Sequence, residues 1–76
     1  MDVNLIDGTK VTDSIQHVTG NAKNAIMLTL DDREISVDQN GNWNETIALL
    51  PGYNIVTIEA KDKFGNSDEK IYKLIL

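Results

Sequence analysis

The fold is decided by residues 41–66, which read GNWNETIALLPGYNIVTIEAKDKFGN. Aromatic and β-branched residues dominate the runs on either side of Pro51-Gly52, and Phe64-Gly65-Asn66 follows the second run. Such residues favour strands, whereas Gly, Pro and Asn favour turns because they supply the backbone angles that turns require. This stretch therefore predicts two β-strands that are joined by a Pro-Gly turn and closed by a second tight turn.

Side chains alternate between the two faces of a strand, so residues of one parity share a face. In the first strand the shared face carries Trp43, Ile47 and Leu49, with Glu45 near the strand start. In the second strand it carries Asn54, Val56, Ile58, Ala60 and Asp62. We expect the apolar members of both sets to form the core. Trp43 is therefore interpreted as a core residue rather than as a sugar-stacking platform.

The last strand is predicted from about residue 68 to residue 76, and its apolar residues fall on both faces. We expect Tyr72, Leu74 and Leu76 to point inward, which leaves Ile71 and Ile75 on the outer face. Tyr53 and Ile55 likewise interrupt the polar face of the preceding strand. These positions define one candidate contact surface, made of Tyr53, Ile55, Ile71 and Ile75.

Shorter strands are predicted in the first half of the chain, at residues 3–6, around Val11 and at residues 15–19. Gly20-Asn21 is expected to end the third of these or to form a bulge. Residues 26–30 alternate, and the apolar face predicted for this hairpin consists of Ile26, Leu28, Leu30, Ile35 and Val37. Its turn is Asp31-Asp32. Asn40-Gly41 then predicts a further turn, because this pair readily adopts positive φ.

The predicted strands recur roughly every 8 to 12 residues, with turn signals between them and no helical period. An antiparallel β-sandwich fits this pattern, because two sheets bury their alternating faces against each other. The alternative is a partly closed barrel. The chain has 76 residues, without an internal linker, so we expect a single domain, residues 1–76.

Composition argues against several classes of function. The chain has no Cys, and its seven basic residues are scattered against a net charge of −5, which argues against a nucleic-acid partner. No apolar run approaches the roughly 18 to 20 residues of a membrane span, so direct membrane insertion is not expected. The first residues do not resemble a secretory signal, although the chain is compatible with a fragment of a longer exported protein.

The chemically versatile residues form no catalytic pattern. His17 is the only His, and the Ser residues lack a Gly-x-Ser-x-Gly motif, so we expect no catalytic site and no enzyme activity. Asp62, Asn66 and Asp68 surround one turn, and such oxygen-rich loops can bind Ca²⁺. The alternative, which we favour, is that Asp and Asn stabilise the turn through their own hydrogen bonds, with no cofactor or metal bound.

The second half of the chain resembles a known pattern. In that pattern an acidic residue and a Gly precede an aromatic residue, a strand ends in Leu, Gly-x-Asn opens an alternating strand that ends in Ala-x-Asp, and Gly-Asn follows. The matching positions are Asn40, Gly41, Trp43, Leu49, Gly52, Asn54, Ala60, Asp62, Gly65 and Asn66. The pattern resembles a group of bacterial immunoglobulin-like domains that includes the second domain of glucodextranase. The resemblance implies an antiparallel immunoglobulin-like β-sandwich of about seven strands, without common catalytic residues.

From this resemblance we expect a non-catalytic module of an exported or cell-surface bacterial protein. It would act as a structural spacer or as a protein–protein contact domain, with neighbouring domains or another protein as partners. The alternative is a carbohydrate- or protein-binding adhesion module that uses Tyr53, Ile55 and the end loops. A Ca²⁺-stiffened linker is a third possibility. The isolated domain is expected to be a monomer.

Overall fold

The computed structural model describes all 76 residues, which form eight β-strands and no helix. In chain order the strands are β1 (Asp2–Val3), β2 (Thr9–Lys10), β3 (Ile15–Asn21), β4 (Ala25–Leu30), β5 (Arg33–Ile35), β6 (Asn42–Ala48), β7 (Tyr53–Asp62) and β8 (Ser67–Ile75). The strands predicted at residues 3–6 and around Val11 are found as β1 and β2, but each is only two residues long and begins earlier in the chain than predicted, so Val11 lies outside β2. No helix capable of crossing a membrane is present.

The strands form two sheets, as predicted. A three-stranded sheet has the order β1-β3-β6, and a five-stranded sheet has the order β2-β8-β7-β4-β5. Every pairing is antiparallel except that of β2 with β8, which is parallel. The Cα atoms extend over 38 × 18 × 18 Å, so the molecule is a short rod. The chain passes from one sheet to the other at Pro51-Gly52, because β6 and β7 are not paired.

The inward faces of the two sheets form one core. Its most completely buried side chains are Val18, Leu28, Val56, Ile58 and Leu74. The predicted inward faces of β6, β7 and β8 are confirmed, since Trp43, Leu49 and Ala60 are also buried and Tyr72 and Leu76 are half-buried. Each fully buried aliphatic side chain of this kind stabilises the fold by about 1.5–3 kcal/mol relative to an exposed one.

Of the two alternatives predicted for Gly20-Asn21, the strand end is confirmed, since Asn21 is the last residue of β3, and the bulge is wrong. Strand β3 continues through both residues, with Gly20 directly opposite Trp43 on β6. A methyl group at Gly20 would lie 2.6 and 2.8 Å from two ring atoms of Trp43. Glycine is therefore required here because the indole ring packs onto the bare backbone of β3.

The hairpin of β4 and β5 is confirmed, but the position of one of its residues is not. Asp31 and Asp32 both have positive φ, 52° and 67°, which matches the twist that a two-residue hairpin loop needs. Ile26, however, is 67% exposed rather than inward. The register of β4 against β7 shifts between Ala25 and Met27, and this extra residue turns Ile26 away from the core.

Candidate interaction surface

Four apolar side chains lie on the outer face of the five-stranded sheet. The register of β7 against β8 places Tyr53 opposite Ile75 and Thr57 opposite Ile71, with Ile55 between them on the same face. Tyr53 is 73% exposed, and Ile55 and Ile71 are each 56% exposed. Ile75 is half-buried. The structure therefore brings together the residues that the sequence singles out, Tyr53, Ile55, Ile71 and Ile75, which we call the outer apolar patch.

Charged residues lie within the outer apolar patch and beyond one end of it. Lys73 stands opposite Ile55, and its Nζ lies 5.4 Å from the centre of the Tyr53 ring. A cation over an exposed aromatic ring is stabilised by about 0.5–1 kcal/mol. Further along the same face Glu59 stands opposite Glu69. The surface thus offers apolar side chains around a central cationic group, with carboxylates beyond one end.

The backbone beneath the patch is fixed by the parallel strand β2. Gly8 N–H donates to the Lys73 carbonyl at 2.7 Å, and Val11 N–H donates to the Ile75 carbonyl at 2.7 Å. The Asp7 carboxylate accepts a bond from Lys73 N–H at 2.6 Å. A binding surface on rigid strands loses little conformational entropy when it is covered.

The residues considered for Ca²⁺ build the turn between β7 and β8. Asp62 Oδ1 accepts bonds from Phe64 N–H and Asn66 N–H, both at 2.9 Å, and Asp62 Oδ2 accepts a bond from the Asn66 side-chain amide at 3.1 Å. The hydrogen bond from the Asn66 side chain lowers the pKa of Asp62 most, and the two backbone N–H groups lower it further. Desolvation acts in the opposite direction but does not cancel these bonds, so the pKa lies below its ordinary value. Asp62 is therefore an ionised turn residue.

Asp68 lies beside this turn but is directed to another partner. Its carboxylate is 3.4 Å from the N-terminal ammonium of Met1, and it lines a shallow cleft together with Asp62 and Asn66. No group of three or more His, Cys, Asp or Glu side chains is arranged to hold a metal ion.

A second turn repeats the backbone hydrogen bonds of the first. Asp38 Oδ1 accepts bonds from Asn40 N–H and Asn42 N–H at 2.9 and 2.8 Å, and Gly41 N–H donates to the Asp38 carbonyl. Both segments follow the pattern Asp-x-x-Gly-Asn, and their glycines have φ of 85° and 86°. The sequence contains this repeat at residues 38–42 and 62–66, although the strand pattern alone does not draw attention to it. A geometry that occurs twice favours a structural role for the Asp and Asn side chains.

Two other exposed apolar residues were not predicted as a surface. Phe64 is 78% exposed at the tip of the β7–β8 turn, and it lines a shallow cleft with Ile26, which is 67% exposed. Lys63 Nζ lies 5.3 Å from the Phe64 ring. From the sequence, Phe64 is interpreted only as a turn residue. Its exposure could have been suspected, because the geometry of this turn does not require an aromatic side chain.

Trp43 is buried, as predicted, whereas His17 lies at the surface. Trp43 is 4% exposed, so the ring is not accessible to a sugar, and its Nε1 has no hydrogen-bond partner. His17 is exposed on β3, and its Nδ1 lies 3.2 Å from Thr46 Oγ1 on β6.

No family model, curated protein or solved structure matches the chain.

Proposed function

We propose that the chain is an immunoglobulin-like domain that serves as a non-catalytic module of an exported or cell-surface bacterial protein. The sheet arrangement supports the fold assignment. The N-terminal segment supplies β1 to one sheet and β2 to the other, and β6 and β7 are consecutive strands on opposite sheets. Such crossings between two antiparallel sheets are typical of immunoglobulin-like sandwiches. The bacterial and cell-surface parts of the proposal rest on the sequence resemblance.

One observation carries the spacer role: residues 1 and 76 lie at opposite ends of strand β8. Met1 contacts Asp68 at the beginning of β8, whereas Leu76 follows the end of β8 and exchanges two backbone hydrogen bonds with Gly52. The strand between these points spans about 26 Å at 3.3 Å per residue. Segments attached at residues 1 and 76 would therefore leave in opposite directions, and the domain would hold them apart.

A tandem of two copies, joined from residue 76 to residue 1, tests the spacer role by small-angle X-ray scattering at low protein concentration. End-to-end copies increase the maximum dimension by about the 38 Å length of one copy. Copies that fold side by side increase it by about the 18 Å width. An increase close to the smaller value contradicts the spacer role.

The outer apolar patch supports a contact role for the same module. Exposed apolar residues grouped on one face commonly mark surfaces that another protein covers. A neighbouring domain or a separate protein would cover Tyr53, Ile55, Ile71 and Ile75. Changing Ile55 to Glu should leave the melting temperature of the isolated domain within about 2 °C, because the side chain is exposed and the new carboxylate faces Lys73. The same change should abolish capture of a partner that uses this face.

A second candidate function is carbohydrate binding by an adhesion module. The observation that favours it is the 73% exposure of Tyr53 with its ring fixed beneath Lys73. A glycan array tests it, with Tyr53→Ala as the control variant. Absence of any hit, or hits that Tyr53→Ala retains, removes this candidate.

The Ca²⁺-stiffened linker is tested by a melting curve. Addition of Ca²⁺, followed by EGTA, should leave the melting temperature unchanged if Asp62 and Asn66 act only in the turn. A rise with Ca²⁺ that EGTA reverses would support binding, because a ligand stabilises the state that it binds.

A further inference from the structure

One strand edge in this molecule is long and carries free backbone groups. Strand β6 is the outermost strand of the three-stranded sheet and pairs only with β3, over all seven of its residues and without a bulge. An unpaired edge of this kind is a template for another strand.

The bonding pattern identifies which groups of β6 are free. Leu49 N–H donates to the Ser14 carbonyl at 2.6 Å, and Ala22 N–H donates to the Gly41 carbonyl at 2.8 Å. In an antiparallel ladder, bonded and non-bonded pairs alternate, so the odd-numbered residues of β6 bond to β3. The even-numbered residues face away from β3. Asn42 is satisfied by Asp38, whereas the N–H and C=O groups of Asn44, Thr46 and Ala48 point into solvent.

The other edges of the two sheets are protected. On the far side of β3, Asn4 accepts a bond from Thr19 N–H and donates to the His17 carbonyl, and Asp13 accepts a bond from Ile15 N–H. Strand β5 has three residues, and β1 has two.

Strand β8 is protected in two ways. Strand β2 covers its second half, and its first half carries three consecutive charged residues at positions 68–70. Edge-protecting features of natural proteins include short strands, charges and covering segments. Strand β6 has only the bonds of Asn42 to Asp38 and a single charge, Glu45, which is paired with Arg33 at 3.5 Å.

We infer that β6 pairs with β6 of a second copy of this chain, in an antiparallel, two-fold symmetric arrangement centred on Thr46. The register that places Thr46 opposite Thr46 of the second copy uses all six free groups, because Asn44 then faces Ala48. Pairing in this register joins the two three-stranded sheets into one continuous six-stranded sheet.

The side chains of β6 fit this register. In this register Glu45 faces Ile47 of the second copy, so no like charges stand opposite each other. A pairing centred on Glu45 instead would place Glu45 opposite Glu45. A pairing centred on Ile47 would place Asn44 opposite Leu50, whose N–H already donates to Asn54. The central Thr–Thr pair is among the favourable cross-strand pairs. Asn44, Thr46 and Ala48 are small and uncharged, so they leave the edge accessible.

The association is weak, because one strand pair buries less than the area of a stable interface. Each copy also carries a net charge of −5, and the two copies repel each other at low salt. The dimer fraction therefore rises across about 10 µM to 1 mM protein and increases with salt. This inference goes beyond the proposed spacer role and replaces the expectation that the isolated domain is a monomer.

Single cysteines test the register directly, because the chain has no cysteine of its own and every disulfide must join two copies. Residues opposite each other in a bonded antiparallel pair have Cα atoms about 5.5 Å apart, within the range that a disulfide spans. Thr46→Cys should therefore form a disulfide-linked dimer with oxidised glutathione. Ala48→Cys and Asn44→Cys should each remain monomeric alone and crosslink when mixed. Equal crosslinking by all three single variants, or by none, overturns the inference.

Sedimentation velocity supplies a second test. Thr46→Pro removes an N–H that β3 does not use, so the fold should be retained and association should fall at least tenfold. Ser67→Pro is the matched control, because it removes an N–H at the free end of β8, at the first residue of that strand, and should leave association unchanged. Far-ultraviolet circular dichroism checks that both variants fold. Wild-type protein that remains monomeric at about 1 mM and high salt contradicts the inference.

Discussion

Replacing Gly20 by alanine perturbs the contact between two neighbouring strands of the three-stranded sheet, at the point where the indole of Trp43 on β6 lies on β3. The added methyl group would meet the backbone carbonyl oxygen of Asp2 and lie 2.6 Å from Cζ2 and 2.8 Å from Cε2 of Trp43. Neither neighbour is free to move. Asp2 is paired with Asn21, and the Trp43 ring is 4% exposed.

The expected cost combines two terms. Overpacking a well-filled core by one methyl group costs about 1–3 kcal/mol. Displacing β1 to relieve the clash would remove hydrogen bonds worth about 1 kcal/mol each. We expect Gly20→Ala to lower the free energy of unfolding by about 2–4 kcal/mol, out of roughly 4–11 kcal/mol for a domain of this length.

Urea unfolding measures this cost, and a second variant identifies its origin. Circular dichroism follows the wild type, Gly20→Ala, Trp43→Phe and the double variant. If the indole causes the clash, the smaller phenylalanine ring should reduce the cost of Gly20→Ala by about 1 kcal/mol. A cost below about 0.5 kcal/mol in the wild-type background refutes the packing argument. A cost that Trp43→Phe leaves unchanged assigns the clash to the Asp2 carbonyl alone.

Three further changes have defined outcomes. Trp43→Ala should cost about 3–5 kcal/mol in urea unfolding, because the ring is buried, and a cost below about 1 kcal/mol contradicts that burial. The lowered pKa of Asp62 stabilises the fold above the ordinary pKa of an aspartate, and this contribution is lost as the pH falls through the lowered pKa. The stabilities of wild type and Asp62→Asn should therefore converge in acid. Asp32→Gly should stabilise by about 0.5–1 kcal/mol by relieving positive φ, whereas Asp31→Gly also loses the bond to Thr57 N–H and should not.

The inward faces were predictable because alternation is a local property of a strand. Val56, Ile58 and Ala60 follow it without interruption, and so does Leu74 in the last strand. The prediction for Ile26 failed because a bulge adds a residue between two positions of the same parity. A bulge depends on the pairing of β4 with β7, and no pattern within residues 25–30 reports that pairing.

Strand order was not predictable from these patterns. The Pro51-Gly52 turn reads like a connection between neighbouring strands, but β6 and β7 lie in different sheets. Parity alone could indicate that Tyr53 and Ile71 each face outward. Only the pairing of β7 with β8 makes them neighbours. The free edge of β6 is likewise a consequence of strand order, so it is invisible in the sequence of β6 itself.

The acidic and amide residues of this chain act mainly as partners for backbone groups that the strands leave unpaired. Seven of them accept backbone N–H bonds through a side-chain oxygen: Asn4, Asp7, Asp13, Asp31, Asp38, Asn54 and Asp62. A domain of 76 residues without disulfides needs these bonds, because its core is small. The same bonds close strand edges and ends against further pairing. Strand β6 is bonded by only one such residue, Asp38, at its first position. Its remaining outward N–H and C=O groups have no partner within the chain, and for this reason we expect them to pair with β6 of a second copy.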